Sequence, residues 1–445
     1  MRFGPLLFLA LVPAVPVQAQ EPAAPAPVEI STAAPQTLTL PDALKRALEA
    51  NPGVARARAE ITASQALTRA TLASILPQIG FQANYTRNDK EVSFGSGADE
   101  RTLLAANDWS YRLTLSQPIY AGNRERKALQ QTRLNTEVFR QSLLSAEDQL
   151  LLGVASDYLT VVESEDLLAV EQKNLDLARR RRDQAQIFFD AGETTRVDVL
   201  RADADIKAAE RRLASARQVR EAAVGRLRLD LAMETPIDVQ APGRFLPALP
   251  AETALVTEAR AGRPEVVQAQ KNLEIARLEV AKQKGALLPT VTADGAYVKQ
   301  RAAFPTDQYG QFSIRFSVPI FDSGQTRSRV AVAEERRRQA ELTLQQVTQT
   351  VGEEVHQALV NLQTAEANLQ LAKEQLGAAE AEYNQANELY RAQELTSLEA
   401  QSAETSLAEA RRIVANSQLD RDIAELRVWA TTGMLKKTVS LEGVQ

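Results

Sequence analysis

No cysteine occurs in the 445 residues, so disulfides, thiolate metal sites and a lipid anchor on cysteine are all excluded. Histidine is nearly absent too. The single copy, His356 within Glu353-Glu354-Val355-His356-Gln357, has no second ligand-grade neighbour, cannot build a zinc site, and reads as a helix-surface residue. No P-loop, nucleophile elbow or Rossmann glycine pattern is present, and the many carboxylates are not paired in a defined pocket. The sequence therefore implies no enzyme and no cofactor. A net charge of −5 argues against a nucleic-acid partner, which would want a basic surface. The run Arg179 to Arg182 spreads its charges around one helical turn and reads as a solvated face, with Glu171 or Asp183 as partners. No stretch reaches 18 consecutive apolar residues, so no transmembrane helix is expected.

Residues 1–19 read as a secretory signal peptide: Arg2 is basic, Leu6 to Val12 are apolar, and Val17-Gln18-Ala19 is a cleavage site. An Ala/Pro-rich linker follows over residues 20–38.

What remains is abundant in Ala, Leu, Gln, Glu and Arg, a mixture suited to long helices. It is also duplicated. Asn51-Pro52 and Leu76-Pro77 return as Arg263-Pro264 and Leu288-Pro289 at an offset of 212. Ser116-Gln117-Pro118-Ile119-Tyr120 returns as Ser317-Val318-Pro319-Ile320-Phe321 at an offset of 201, so the first half carries an 11-residue insertion. The smaller offset persists through Thr195 and Thr396, Asp198 and Glu399, and Ala209 and Ala410.

Each half repeats one order of elements. Pro52 to Leu76 is helix-like, with Pro at a first position that lacks no hydrogen bond. Period-two alternation follows. Trp109, Tyr111, Leu113 and Leu115 face away from Ser110, Arg112, Thr114 and Ser116, and Phe312, Ile314, Phe316 and Val318 oppose Ser313, Arg315 and Ser317. Aromatics gathered on the apolar face mark a transmembrane β-hairpin with Trp109, Tyr111, Phe312 and Phe316 toward lipid, rather than a soluble sheet with one wet face. Four strands cannot hide their own edges in lipid, so a membrane-spanning version has to oligomerise. Pro118 and Gly122, like Pro319 and Gly324, punctuate the switch from strand to helix.

Residues 124–190 and 326–392 are then proline-free helices, each roughly 100 Å long at ~1.5 Å per residue. A short turn returns the chain in a further helix, giving a rod or tube wall rather than a globule. Val351, Val355, Ala358, Leu362, Ala365, Leu369, Ala372, Leu376, Ala379, Tyr383, Ala386 and Tyr390 keep 4-3 spacing, the signature of a left-handed coiled coil. The first long helix puts Asp157, Ser164, Glu171 and Arg182 at matching positions, so the two hairpins are expected to do different jobs.

On these landmarks, and on Ala191-Gly192-Glu193-Thr194-Thr195-Arg196-Val197-Asp198-Val199-Leu200, nearly everything after the linker resembles the TolC-like outer-membrane efflux proteins. The resemblance implies a mainly α chain with a small β part. Duplicated coiled-coil α-hairpins would form a periplasmic α-barrel, and two β-hairpins per chain would join a shared 12-stranded transmembrane barrel in a homotrimer. It implies a Gram-negative outer-membrane location, contact with outer-membrane lipid, and a periplasmic membrane-fusion adaptor with an inner-membrane ABC or RND pump as partners. It implies an iris-like gate at the helical tip. Asp198 matches the family's bridging Asp, Tyr390 its bridging Tyr, and Glu399 the first acid of a constriction ring whose like charges would push the carboxylates' pKa up. Leu395 stands at the family's Arg position and Ser402 at its second acid, so fewer charged links are expected.

The expected organisation is a first repeat over residues 39–232 (β-hairpin 77–119, helices 124–190 and 196–232) and an inter-repeat linker over 233–251. A second repeat follows over 252–432 (β-hairpin 289–320, helices 326–392 and 397–432), then a tail over 433–445. The function expected is a passive exit duct for drugs or polypeptides in tripartite efflux or type I secretion. The alternative is a periplasmic coiled-coil adaptor without a pore.

Overall fold

The computed structural model describes residues 36–95, 101–242, 246–301, 306–392 and 394–438. The expected signal peptide, most of the first linker and the last residues of the tail lie outside them.

Strand β1 (Gln36–Leu38) leads into α1 (Leu40–Ala50), which the Thr39 side chain caps and whose 3-4 spaced Leu40, Ala43, Leu44, Ala47 and Leu48 are buried. Asn51 caps α2 (Pro52–Ala73) by accepting the Gly53 N–H at 2.7 Å. Helix α2 stops three residues before Leu76; a tight turn with Leu76 N–H on the Ala73 carbonyl carries the chain to Pro77. Then come β2 (Gln78–Arg87), a small hairpin β3 (Val92–Phe94) and β4 (Arg101–Leu104), and the long β5 (Asn107–Ala121). Helix α3 (Arg124–Asp190) and its return α4 (Arg196–Asp230) complete the half.

After β6 (Ile237–Val239) the order recurs: α5 (Glu252–Gly262), α6 (Pro264–Gly285), β7 (Thr290–Gln300), β8 (Gln308–Ser317), α7 (Gln325–Arg391), α8 (Ser397–Thr431), and a final turn α9 (Leu435–Thr438). Corresponding helices match in length: 22 residues for α2 and α6, 67 for α3 and α7, 35 for α4 and α8.

The linker readings need refinement. Residues at the end of the first linker form β1, which pairs in parallel with β6 of the inter-repeat segment. The Tyr158 hydroxyl lies between the Leu38 and Gln240 carbonyls at 2.9 and 2.6 Å and accepts the Gln240 N–H. Around it α1, the middle of α3 and the ends of α4 and α8 form the largest apolar core. A second core joins α5 to Val351, Val355 and Leu362 of α7. Both lie partway along the long helices, so toward the tip and toward the sheet the structure is only a few helices or strands thick.

Candidate functional site: the sheet face and the helical tip

Strands β2, β5, β7 and β8 form one antiparallel sheet in that order, with β2 and β8 as free edges. The two hairpins share one register. Ile79 opposite Leu115 and Tyr85 opposite Trp109 become, at offsets of 212 and 201, Val291 opposite Phe316 and Tyr297 opposite Gly310.

One face carries Ile79, Phe81 and Tyr85 beside Trp109, Tyr111, Leu113 and Leu115, then Tyr297, Phe312, Ile314 and Phe316. Most of these side chains stay uncovered in one chain: Phe312 is 73 % and Phe316 66 % exposed. Trp109 is half-buried, tilted against Tyr111 at 5.2 Å, and Tyr111 stacks on Phe81 at 6.2 Å. From Trp109 to Tyr120 the strand rises ~37 Å, or about 28 Å across a membrane at a barrel tilt of about 40°, close to the ~25 Å apolar band of an outer-membrane barrel. Trp109 with Tyr85 and Tyr120 with Phe316 edge that band as aromatic girdles would. The opposite face bears Gln82, Arg112, Thr114, Asp294, Ser313 and Arg315, with the Ser116 hydroxyl donating to Asp294 at 2.7 Å. Among the described residues no helix is long and apolar enough to cross a membrane.

The strand-to-helix junctions follow from backbone sterics. Pro118 lies in β5 beyond the last pair with β2, where its missing N–H leaves no ladder bond unmade, and the register with β7 shifts between Pro118 and Tyr120. Pro319 follows the last residue of β8. Two consecutive left-handed residues then turn each chain into its helix: Gly122 and Asn123 at φ 63° and 59°, Ser323 and Gly324 at φ 54° and 84°. Gly122 and Gly324 are thus successive positions of one turn, not equivalents. A Cβ on Gly122 would fall 2.0 Å from the Gly285 carbonyl oxygen, whereas Gly324 borders open space.

At the other end, Asp198 and Glu399 occupy the same place in their helices. Each closes a capping box with its N-cap threonine, Thr195 or Thr396, at 2.7 Å from the hydroxyl. Hydrogen bonds from Thr194 and Thr195 hold the Asp198 carboxyl below its usual range, and those from Thr396 do the same for Glu399. For Glu399 this is the reverse of the upward push expected from a ring, because within one chain no second carboxylate faces it closely enough to offset the cap. Tyr390 is buried, its ring 5.7 Å from Phe188 and nearly edge-on. Burial raises its phenol, with Arg181, a bond to Ser397 and the Asp198 charge as smaller influences. Leu395 is half-buried and Ser402 exposed.

The charged links lie farther up the hairpins. Arg181, whose side chain is 11 % exposed, sits 3.3 Å from Asp205 of α4 and 3.3 Å from Glu404 of α8, and Gln401 donates to Asp205 at 2.7 Å. Ten residues earlier on α3 the signs reverse. The buried Glu171 lies 3.5 Å from Arg212 of α4 and 3.7 Å from Arg412 of α8. The solvated reading of the Arg179–Arg182 run therefore fails at Arg181. Its partners are 24 and 223 residues away, so no local pattern could single it out. Arg182 does meet Asp183, and also Asp203 at 3.1 Å, while Glu171 belongs to other arginines. His356 is exposed and bonds Glu252 at 2.9 Å.

The sequence matches the outer membrane efflux protein family over residues 43–232 and 255–434. It is 22 % identical over 404 residues to the outer membrane efflux protein BepC of Brucella suis biovar 1, covering 89 % of this chain and 86 % of the relative. It is 22 % identical over 431 residues to the outer membrane protein TolC of Escherichia coli K12, covering 90 % and 83 %. The fold superposes on a crystal structure of CusC with a TM-score of 0.78 at 18 % identity, over 93 % of this chain and 98 % of the other.

Proposed function

The chain belongs to the outer membrane efflux protein family, and from that premise we propose that three copies join their sheets into one 12-stranded barrel and their helices into one periplasmic tube. The protein is an outer-membrane channel that extends into the periplasm. It acts as a passive exit duct, receiving drugs or polypeptides from an inner-membrane ABC or RND pump through a membrane-fusion adaptor that docks at the tip. The observation that carries this reading is the four-stranded sheet, apolar and aromatic on one face, polar on the other, and unpaired at both edges. In lipid every backbone N–H and C=O must be bonded, which such a sheet achieves only by closing with copies of itself. A periplasmic adaptor has no use for it.

Asp198, Tyr390 and Glu399 lie at the turns that would converge at the tip. With Glu399 from three copies around one axis, the constriction would favour cations, since fixed carboxylates attract them. The test is purification from outer membranes in detergent followed by single-channel recording. A heat-modifiable trimer that conducts, with cation preference weakened by Glu399→Ala, supports the reading. A water-soluble monomer released by osmotic shock overturns the duct, and unchanged ion selectivity in the variant removes Glu399 from the gate.

A further inference from the structure

We propose that β8 of one copy pairs with β2 of the next in a single register that places Ser317 opposite Gln82. The proposal rests on the duct reading above and adds to it the residue-by-residue partner of each free edge.

The chain contains its own template. Strand β5 ends the first repeat's sheet contribution and β7 begins the second's, and they pair along their length. In a ring of repeats, β8 stands to the next copy's β2 as β5 stands to β7. The hairpins β2–β5 and β7–β8 already share one register under the two offsets. Adding 201 on the β5 side and subtracting 212 on the β7 side turns Ser116 opposite Asp294 into Ser317 opposite Gln82.

Chemistry never used in that arithmetic agrees with it. Tyr111 opposite Lys299 becomes Phe312 opposite Arg87, again an aromatic beside a cation at the outer rim of the band. Leu115 opposite Gly295 becomes Phe316 opposite Ala83, again large against small. The shift after Pro118, where Tyr120 meets Val291, becomes Phe321 opposite Ile79. That pairing extends β8 past Pro319 and covers Phe321, which is 86 % exposed in one chain.

Competing registers fare worse. A slip of one residue would turn every polar side chain of β8 toward lipid. A slip of two in one direction carries Phe321 off the end of β2, opposite Pro77, which has no N–H to donate; in the other it draws Arg87 down opposite Ile314.

The chain has no cysteine, so a disulfide scan needs no background substitutions. The full-length protein carrying Ser317→Cys with Gln82→Cys is oxidised in outer membranes and run on a non-reducing gel. Covalent dimers and trimers are expected. Ser317→Cys with Gly80→Cys or Asn84→Cys should stay uncross-linked, because a two-residue stagger separates the Cα atoms by ~8 Å, beyond disulfide reach. Should the first pair impair assembly, Ser313→Cys with Thr86→Cys reads the same register. Cross-linking only in a staggered pair, or in none while the trimer persists, overturns this register and leaves the duct standing. Absence of any trimer sinks the duct itself.

Discussion

Gly122 and Gly324 occupy successive positions of one left-handed turn, and each half of the chain spends its glycine on a different one. Where Gly324 stands, Asn123 serves the first repeat at φ 59°, which shows that a side chain is tolerated there. Gly122 has no such latitude, because its α-carbon abuts the Gly285 backbone at the end of α6. Gly324→Ala should cost only the left-handed penalty, roughly 1–2 kcal/mol. Gly122→Ala should cost clearly more, since strand β5 and helix α6 must move apart. Thermal melts of the two variants in detergent test the ranking, and equal losses would refute the role assigned to the Gly285 contact.

Among the elements, α3 is distinguished by two charges in its tip-ward third, Glu171 and Arg181. Each is flanked by opposite charges from α4 and from α8, first negative between positive, then positive between negative. A buried ion triad is a poor source of net stability, because desolvation offsets the attraction. Its better-attested use is in setting register, and the reversed signs penalise any slide of α8 along α3. In the proposed trimer the same offsets would place Glu382 opposite Asp203 and Ala372 opposite Arg211 of a neighbouring copy, pairs that could form no such lock. The α3–α8 contact should therefore be the one that holds α8 in its closed position. Arg181→Met leaves Asp205 facing Glu404, whose carboxyl burial already pushes up. This variant should raise the closed-state conductance severalfold in planar bilayers, whereas Arg179→Met on the exposed face should not. Equal conductance in both would remove the triad from closure.

For the whole molecule, half-buried acids along α3 couple stability to pH. Asp148 is raised from 3.8 to about 7 by burial, then by Glu265 and Glu147, against the pull of Lys436 and Arg263. Asp157 is raised to about 6 by burial and by its hydrogen bond and charge contact with Asp230, opposed by Arg226. Both bind their protons more tightly folded than unfolded. Their contribution is therefore most favourable below the unfolded value, 3.8, and is lost as pH rises through about 6 and then about 7. Asp148→Asn with Asp157→Asn should raise the melting temperature at pH 8 and bring it closer to the value at pH 5. Melts of wild type and variant across that range decide it: a variant whose melting temperature keeps the wild-type pH slope contradicts the assignment.

The sequence by itself determined the architecture, because its signals repeat locally. Period-two alternation identifies the strands around Trp109 and Phe316, the 4-3 spacing through Val351 and Leu362 identifies the coiled coil, and two constant offsets expose the duplication. Tertiary structure alone decided the rest. It paired β1 with β6, set Gly122 against Gly285, and gave Arg181 to partners on two other helices. Such facts depend on which residues meet across tens or hundreds of positions, and periodicity carries no information about that.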